Sequence, residues 1–165
     1  MLSETLHELI DTLAQTPGTI AARIGNICSE DTRRRKADYF SVVENICHLR
    51  DLEVEGYAVR IDRILNEEQP FLPDIDGGRL AIERDYNNQN VQDALAGFAI
   101  ARESNVHALR KLAPEHLTRE GTLEGVGPVT LEKVLLMMQE HDQGHVEDLL
   151  IAGRAVSEFA SERNP

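Results

Sequence analysis

The chain has 165 residues, 41% of them hydrophobic and 28% charged, the balance of a globular domain long enough to bury a proper core. Its net charge of −12 argues against non-specific binding to DNA or RNA and against docking on anionic membranes, since both depend on Lys and Arg. No apolar run approaches the roughly 20 residues of a membrane span. The acidic, amphipathic start (Met1, Leu2, Ser3, Glu4) is unlike a signal peptide, and two cysteines, Cys28 and Cys47, make no disulfide framework. The expectation is a single cytoplasmic domain over residues 1–165, with no nucleic-acid or membrane partner.

Ser3 is placed to cap a first helix whose stripe reads Leu2, Leu6, Leu9 and Leu13. Pro17 and Gly18 are expected to break or kink it, with Thr16 capping a second piece to about Gly25. Arg33, Arg34, Arg35 and Lys36 form a basic run that reads either as an anion site or as a solvated loop. Ser41 with Glu44 matches a capping box and starts a long helix to about Asn66, on the order of 39 Å. Pro70 and Pro73 end it. Residues 71–90 read as a loop rich in Asp, Gly and Asn, with a helical turn near Leu80 to Tyr86, long enough to cross from one end of a bundle to the other.

Asn90 with Asp93 caps the next helix, which stops before Pro114. Its stripe, Val91, Leu95, Phe98, Arg102, Asn105, Leu109 and Leu112, is apolar except at Arg102 and Asn105. A glycine-rich loop follows, and Thr130 caps a last helix from Leu131 to about Phe159, with a frayed tail from Ser161 to Pro165. No strand-like alternation of useful length is present. The pattern is all-α: four main helices in a bundle.

The last helix carries His141 and His145. Positions i and i+4 share a face, and this face also carries Val134, Met138 and Ala152, so both imidazoles look inward and can reach one point. Buried polar groups need partners, and a metal ion is the simplest shared one. His141 is followed by Asp142, so the HExxH pattern of metalloproteases is missing. A catalytic ion takes three protein ligands as a rule. His7, His48, His107 and His116 are the candidates for the third. His116 is in a loop, and His7 and His107 fall off their stripes. His48 lies nearly opposite the clearest stripe of its own helix (Val42, Ile46, Leu49, Glu53, Tyr57, Ile64), so periodicity does not nominate it. Either that helix is covered on two sides, for instance by a partner subunit, or the site lies at the rim of the bundle.

The run from Ser41 to Leu49 with Glu53, Phe98 with Arg102, the segment Gly127 to Leu131, and Glu140-His141 with Gly144-His145 together resemble the DinB-like (DinB/YfiT) superfamily of metalloenzymes over about residues 5 to 155. The resemblance implies a four-helix bundle with crossover connections, commonly dimeric. It implies a divalent metal, zinc, nickel or iron, held by His48, His141 and His145. It also implies a small-molecule substrate, and in some members a low-molecular-weight thiol cosubstrate such as bacillithiol or mycothiol. The expected activity is thiol-dependent S-transfer to a small electrophile. The alternatives are a metal-dependent hydrolase and a non-catalytic metal-binding dimeric bundle. Glu44 and Asp148 are candidates to orient the histidines, against a capping duty for Glu44 and a solvated position for Asp148. Arg102 is either an anchor for a substrate or thiol carboxylate or the partner of Glu53 in a structural ion pair.

Overall fold

The computed structural model describes residues 4–25, 27, 31–33, 35 and 39–162. The predicted cap Ser3, Cys28, Arg34, Lys36 and the end of the predicted tail lie outside them. Four long helical segments make the bundle: α1 (Glu4–Ile24), α2 continued by α3 (Val42–Asp51 and Ala58–Asn66), α5 (Val91–Leu109) and α6 (Leu131–Glu162). A short α4 (Gly77–Glu83) lies in the crossover between α3 and α5. The predicted caps at Ser41, Asn90 and Thr130 all form, and the Ser41–Glu44 capping box is complete.

Three sequence expectations need correction. α1 runs unbroken through Pro17. Proline has no N–H to give the carbonyl four residues back, and that carbonyl, of Leu13, accepts instead from Arg102 Nη1 at 2.9 Å. The helix beginning at Val42 is not uniformly α: Leu52–Tyr57 forms a π-helical turn, in which Leu52, Glu53, Gly56 and Tyr57 are all buried. The loops carry a small sheet, β1 (Phe71–Leu72), β2 (Glu120–Leu123) and β3 (Gly127–Thr130). β1 pairs with β2 in parallel and β2 with β3 as an antiparallel hairpin, turned at Gly125 and Gly127 with φ of 74° and 103°. These strands are two to four residues long, too short to show a period in the sequence.

The core has two halves. In one, Leu9, Leu13, Ile64, Leu109, Leu131, Leu135 and Met138 pack together. In the other are Ile20, Val43, Ile46, Tyr86, Phe98 and Leu149. Between them lies a polar layer to which every long segment contributes. Arg102 of α5 is 1% exposed and uses all five of its N–H groups. Nε and Nη2 donate to Glu53 in the π turn at 2.9 and 2.8 Å. Nη1 and Nη2 donate to Asp142 of α6 at 2.6 and 3.0 Å. The fifth goes to the Leu13 carbonyl of α1. Thr16 donates to Asp142 and Asn105 to Glu53, closing the network.

The doubt about His48 is resolved within the chain. Residues Val42 to Cys47 are all buried, because α2 is covered by α5 and α6 on one side and by the crossover on the other. Tyr86 fills part of that second side and donates to Asp51 at 2.6 Å, while Arg84 bridges Asp51 and Glu55. Arg33 donates to the Asn87 carbonyl and Arg35 pairs with Glu44, so two members of the basic run are engaged within the fold.

Replacing Arg102 by Met leaves two buried carboxylates without their cation. The variant is expected to lose about 3–5 kcal/mol in urea denaturation, whereas Arg110→Met, which breaks an exposed pair with Asp11, is expected to lose less than about 1 kcal/mol.

Candidate metal centre

His48 sits in the last turn of α2, just before the π turn, and His141 and His145 are one turn apart on α6. The three rings converge through Nε2. His141 Nε2 lies 3.1 Å from His48 Nε2 and 3.1 Å from His145 Nε2. Among the described residues these are the His, Cys, Asp and Glu side chains grouped closely enough to hold an ion. The other histidines are elsewhere: His7 and His107 are exposed, and His116 accepts from the Ala113 N–H.

Hydrogen bonding defines the tautomer of His145. Asn45 donates its amide N–H groups to the carbonyls of Phe40 and Ser41. Its Oδ1 therefore faces His145 Nδ1, at 2.6 Å, and accepts from it. With the proton on Nδ1, Nε2 presents a bare lone pair to His141. Burial pulls the pKa of His145 down to about 4. It pulls His48 to about 4 and His141 to about 2, with repulsion between the rings adding to both. All three imidazoles are thus neutral at pH 7, the state in which they could hold an ion. His141 Nδ1 is buried and has no hydrogen-bond partner, so no hydrogen bond competes for that ring's orientation.

This donor set fits a metal ion. At a metal–nitrogen bond of about 2.1 Å, ligand atoms 3.1 Å apart subtend roughly 95°, within the range of a shared ion. Three neutral imidazoles suit zinc, nickel or iron. The cluster opens onto a cleft of about 640 Å³ lined by His48, His141, Leu52, Tyr57, Arg60 and the tip of the β2–β3 hairpin. The crossover forms one wall, and its fit is tight: a Cβ on Gly77 would overlap the His48 ring.

The partner of His145 Nδ1 is Asn45, which carries no local signal in the sequence. Asp148, the residue singled out for that role, stands 4.0 Å from His145 Nδ1 and is partly exposed. Glu44 serves the capping box and Arg35. Arg102 is not in the cleft lining and has no donor left for a substrate carboxylate, so of its two readings the structure forms the ion pair with Glu53. Arg60, on the cleft wall, drew no attention in the sequence.

Fold and site together define a helical bundle with a three-imidazole cluster at the wall of an open cleft. The chain belongs to the DinB superfamily, whose family model matches residues 12–149. Among solved structures it is similar to YfiT from Bacillus subtilis, described as a probable metal-dependent hydrolase with an unusual four-helix bundle topology. That likeness has a TM-score of 0.87 at 18% identity and covers 95% of this chain and 91% of the other. No curated protein matches the sequence. Among the described residues, no helix is long and apolar enough to cross a membrane.

Asn45→Ala is expected to weaken zinc binding about 10- to 100-fold by freeing the His145 ring, and Asp148→Ala to change it little; competition with a chromogenic chelator measures both. The pH dependence has a definite sign. Each buried imidazole takes up its proton less readily in the folded chain than in the unfolded one, where the pKa is about 6.5. The metal-free protein should therefore hold its melting temperature above about pH 7 and lose stability as pH falls from about 6.5 towards 4, as thermal melts across that range would show.

Proposed function

We propose that the protein is a metal-dependent hydrolase of a small molecule, with His48, His141 and His145 as ligands of a divalent ion. The observation that carries the reading is the convergence of three neutral Nε2 atoms, with the rings of His48 and His141 lining a cleft open to solvent. The description of the B. subtilis neighbour supports the same class. A divalent ion held by His48, His141 and His145 would supply Lewis acidity and would lower the pKa of water at the site.

The rest is done by the protein. Asn45 fixes the His145 ring, and Gly77 lets the crossover close over His48. The Tyr57 ring stands edge-on to His141, with centroids 6.0 Å apart. Burial raises the Tyr57 pKa well above its usual value, so its hydroxyl stays protonated at neutral pH. It makes only a long contact, 3.4 Å, to the Met137 carbonyl, and so is free to donate to a substrate oxygen in the cleft. Leu52, Ile75 and Met137 give the cleft an apolar floor for the body of such a molecule. The described cleft lining does not itself choose between hydrolysis and S-transfer; the description of the B. subtilis neighbour favours hydrolysis.

The test uses purified protein loaded with zinc, nickel or iron and a panel of small ester and amide substrates. Turnover is expected without added thiol and is expected to fall by at least about 100-fold in His145→Ala, together with bound metal by elemental analysis and with helix content retained. A strict requirement for a thiol would replace hydrolysis by S-transfer. Loss of the fold together with the metal would instead favour a structural ion.

A further inference from the structure

Arg60 of α3 differs from the other buried arginine among the described residues, Arg102. It is 6% exposed, yet its Nε is buried without a hydrogen-bond partner. Nη2 makes two contacts, to the Pro73 carbonyl at 3.3 Å and to Asp74 Oδ1 at 3.4 Å. Both are long, and Asp74 is 69% exposed at its side chain, where a single ion pair is weak. The guanidinium rests on the Tyr57 ring, 5.6 Å from its centroid, which holds the fork in place. Arg102, by comparison, has no donor to spare.

Arg60 lines the same cleft as His48 and His141, and is the one Lys or Arg among the described residues lining it. A buried guanidinium with an unused donor is costly unless something else completes it. We propose that Arg60 receives the carboxylate of the substrate, holding it with the reacting group turned towards the three histidines. The inference rests on the reading of that centre as catalytic, and it makes the substrate a carboxylic acid. The planar fork of Arg matches a carboxylate through two parallel hydrogen bonds, which Nη1, unpartnered and not buried, and the loosely held Nη2 can supply at the end of the fork. A singly charged carboxylate is favoured over a phosphate because the cleft also carries Asp74, Glu124 and Glu140, which repel a dianion more strongly.

Benzoate and its neutral isostere benzamide serve as probes, titrated calorimetrically into metal-free and zinc-loaded protein. Wild-type protein in both forms is expected to bind benzoate about ten-fold or more tightly than benzamide. In Arg60→Met the two affinities should come within about two-fold, with the melting temperature confirming that the variant is folded. Independently of any variant, the Arg60 Nε–H resonance of the ¹⁵N-labelled wild-type protein should shift on adding benzoate and stay in place with benzamide. Equal affinities in the wild type, a preference that survives Arg60→Met, or an unmoved Nε–H signal would overturn the proposal. The metal-free arm separates this result from the fate of the metal centre, because failure to bind metal would not alter it. A preference found only with zinc and retained in Arg60→Met would place the carboxylate on the ion and remove Arg60 from the role.

Discussion

The arrangement of the bundle turns on one buried guanidinium. Arg102 divides the core into two apolar halves and binds all the long helical segments at one level: Glu53 between α2 and α3, Asp142 on α6, and the Leu13 carbonyl on α1. Apolar packing alone tolerates sliding, because one methyl group replaces another at little cost. A five-donor fork with matched acceptors does not. Moving α5, α6 or the segment carrying Glu53 by one residue would strand a charge in the core, at a cost of several kcal/mol, and moving α1 would leave an Arg102 donor unpaired. The layer is thus better understood as fixing register than as adding net stability.

That register matters because the histidines lie beside the layer. His141 is the neighbour of Asp142, and His48 precedes Glu53 by little more than one turn. Two helices far apart in sequence must deliver nitrogens to within 3.1 Å of each other. The ion layer aligns α2 and α6 along their axes, Asn45 sets the rotation of one ring, and the crossover closes over another. The site is therefore built on helices, with loops supplying only the cleft walls.

What could be read from the sequence follows from the range of each signal. The His141–His145 pair, the capping box at Ser41 and the anomalous Arg102 are local patterns, and each has a counterpart in the structure. His48 could not be reached by periodicity. Its helix is buried nearly all round by the chain's own crossover, and a helix covered on two sides has no single stripe. The resemblance to the DinB-like superfamily supplied it instead. Asn45 and Arg60 were illegible for a different reason. An Asn in a helix and an Arg after a Tyr are ordinary residues, and only the fold shows that one ties down a ring while the other has a buried donor to spare. The short strands and the π turn left no mark because neither spans enough residues to establish a period.

Pro17 carries a consequence for motion. A proline within a helix vacates one acceptor, and here the vacancy is filled from another helix, so α1 is hooked to the bundle through its backbone. Substitutions along α1 other than at Pro17 leave that carbonyl in place, whereas a residue with an N–H at position 17 would compete with Arg102 for it. Widening the groove of about 600 Å³ between α1 and α6, lined by Thr16, Arg23, Gln143 and Leu150, without breaking that bond means swinging α1 about the level of Leu13. A one-turn ratchet of α1 past its neighbours, of the kind other helical proteins use to switch states, would break the Leu13–Arg102 bond and leave a buried donor unpaired.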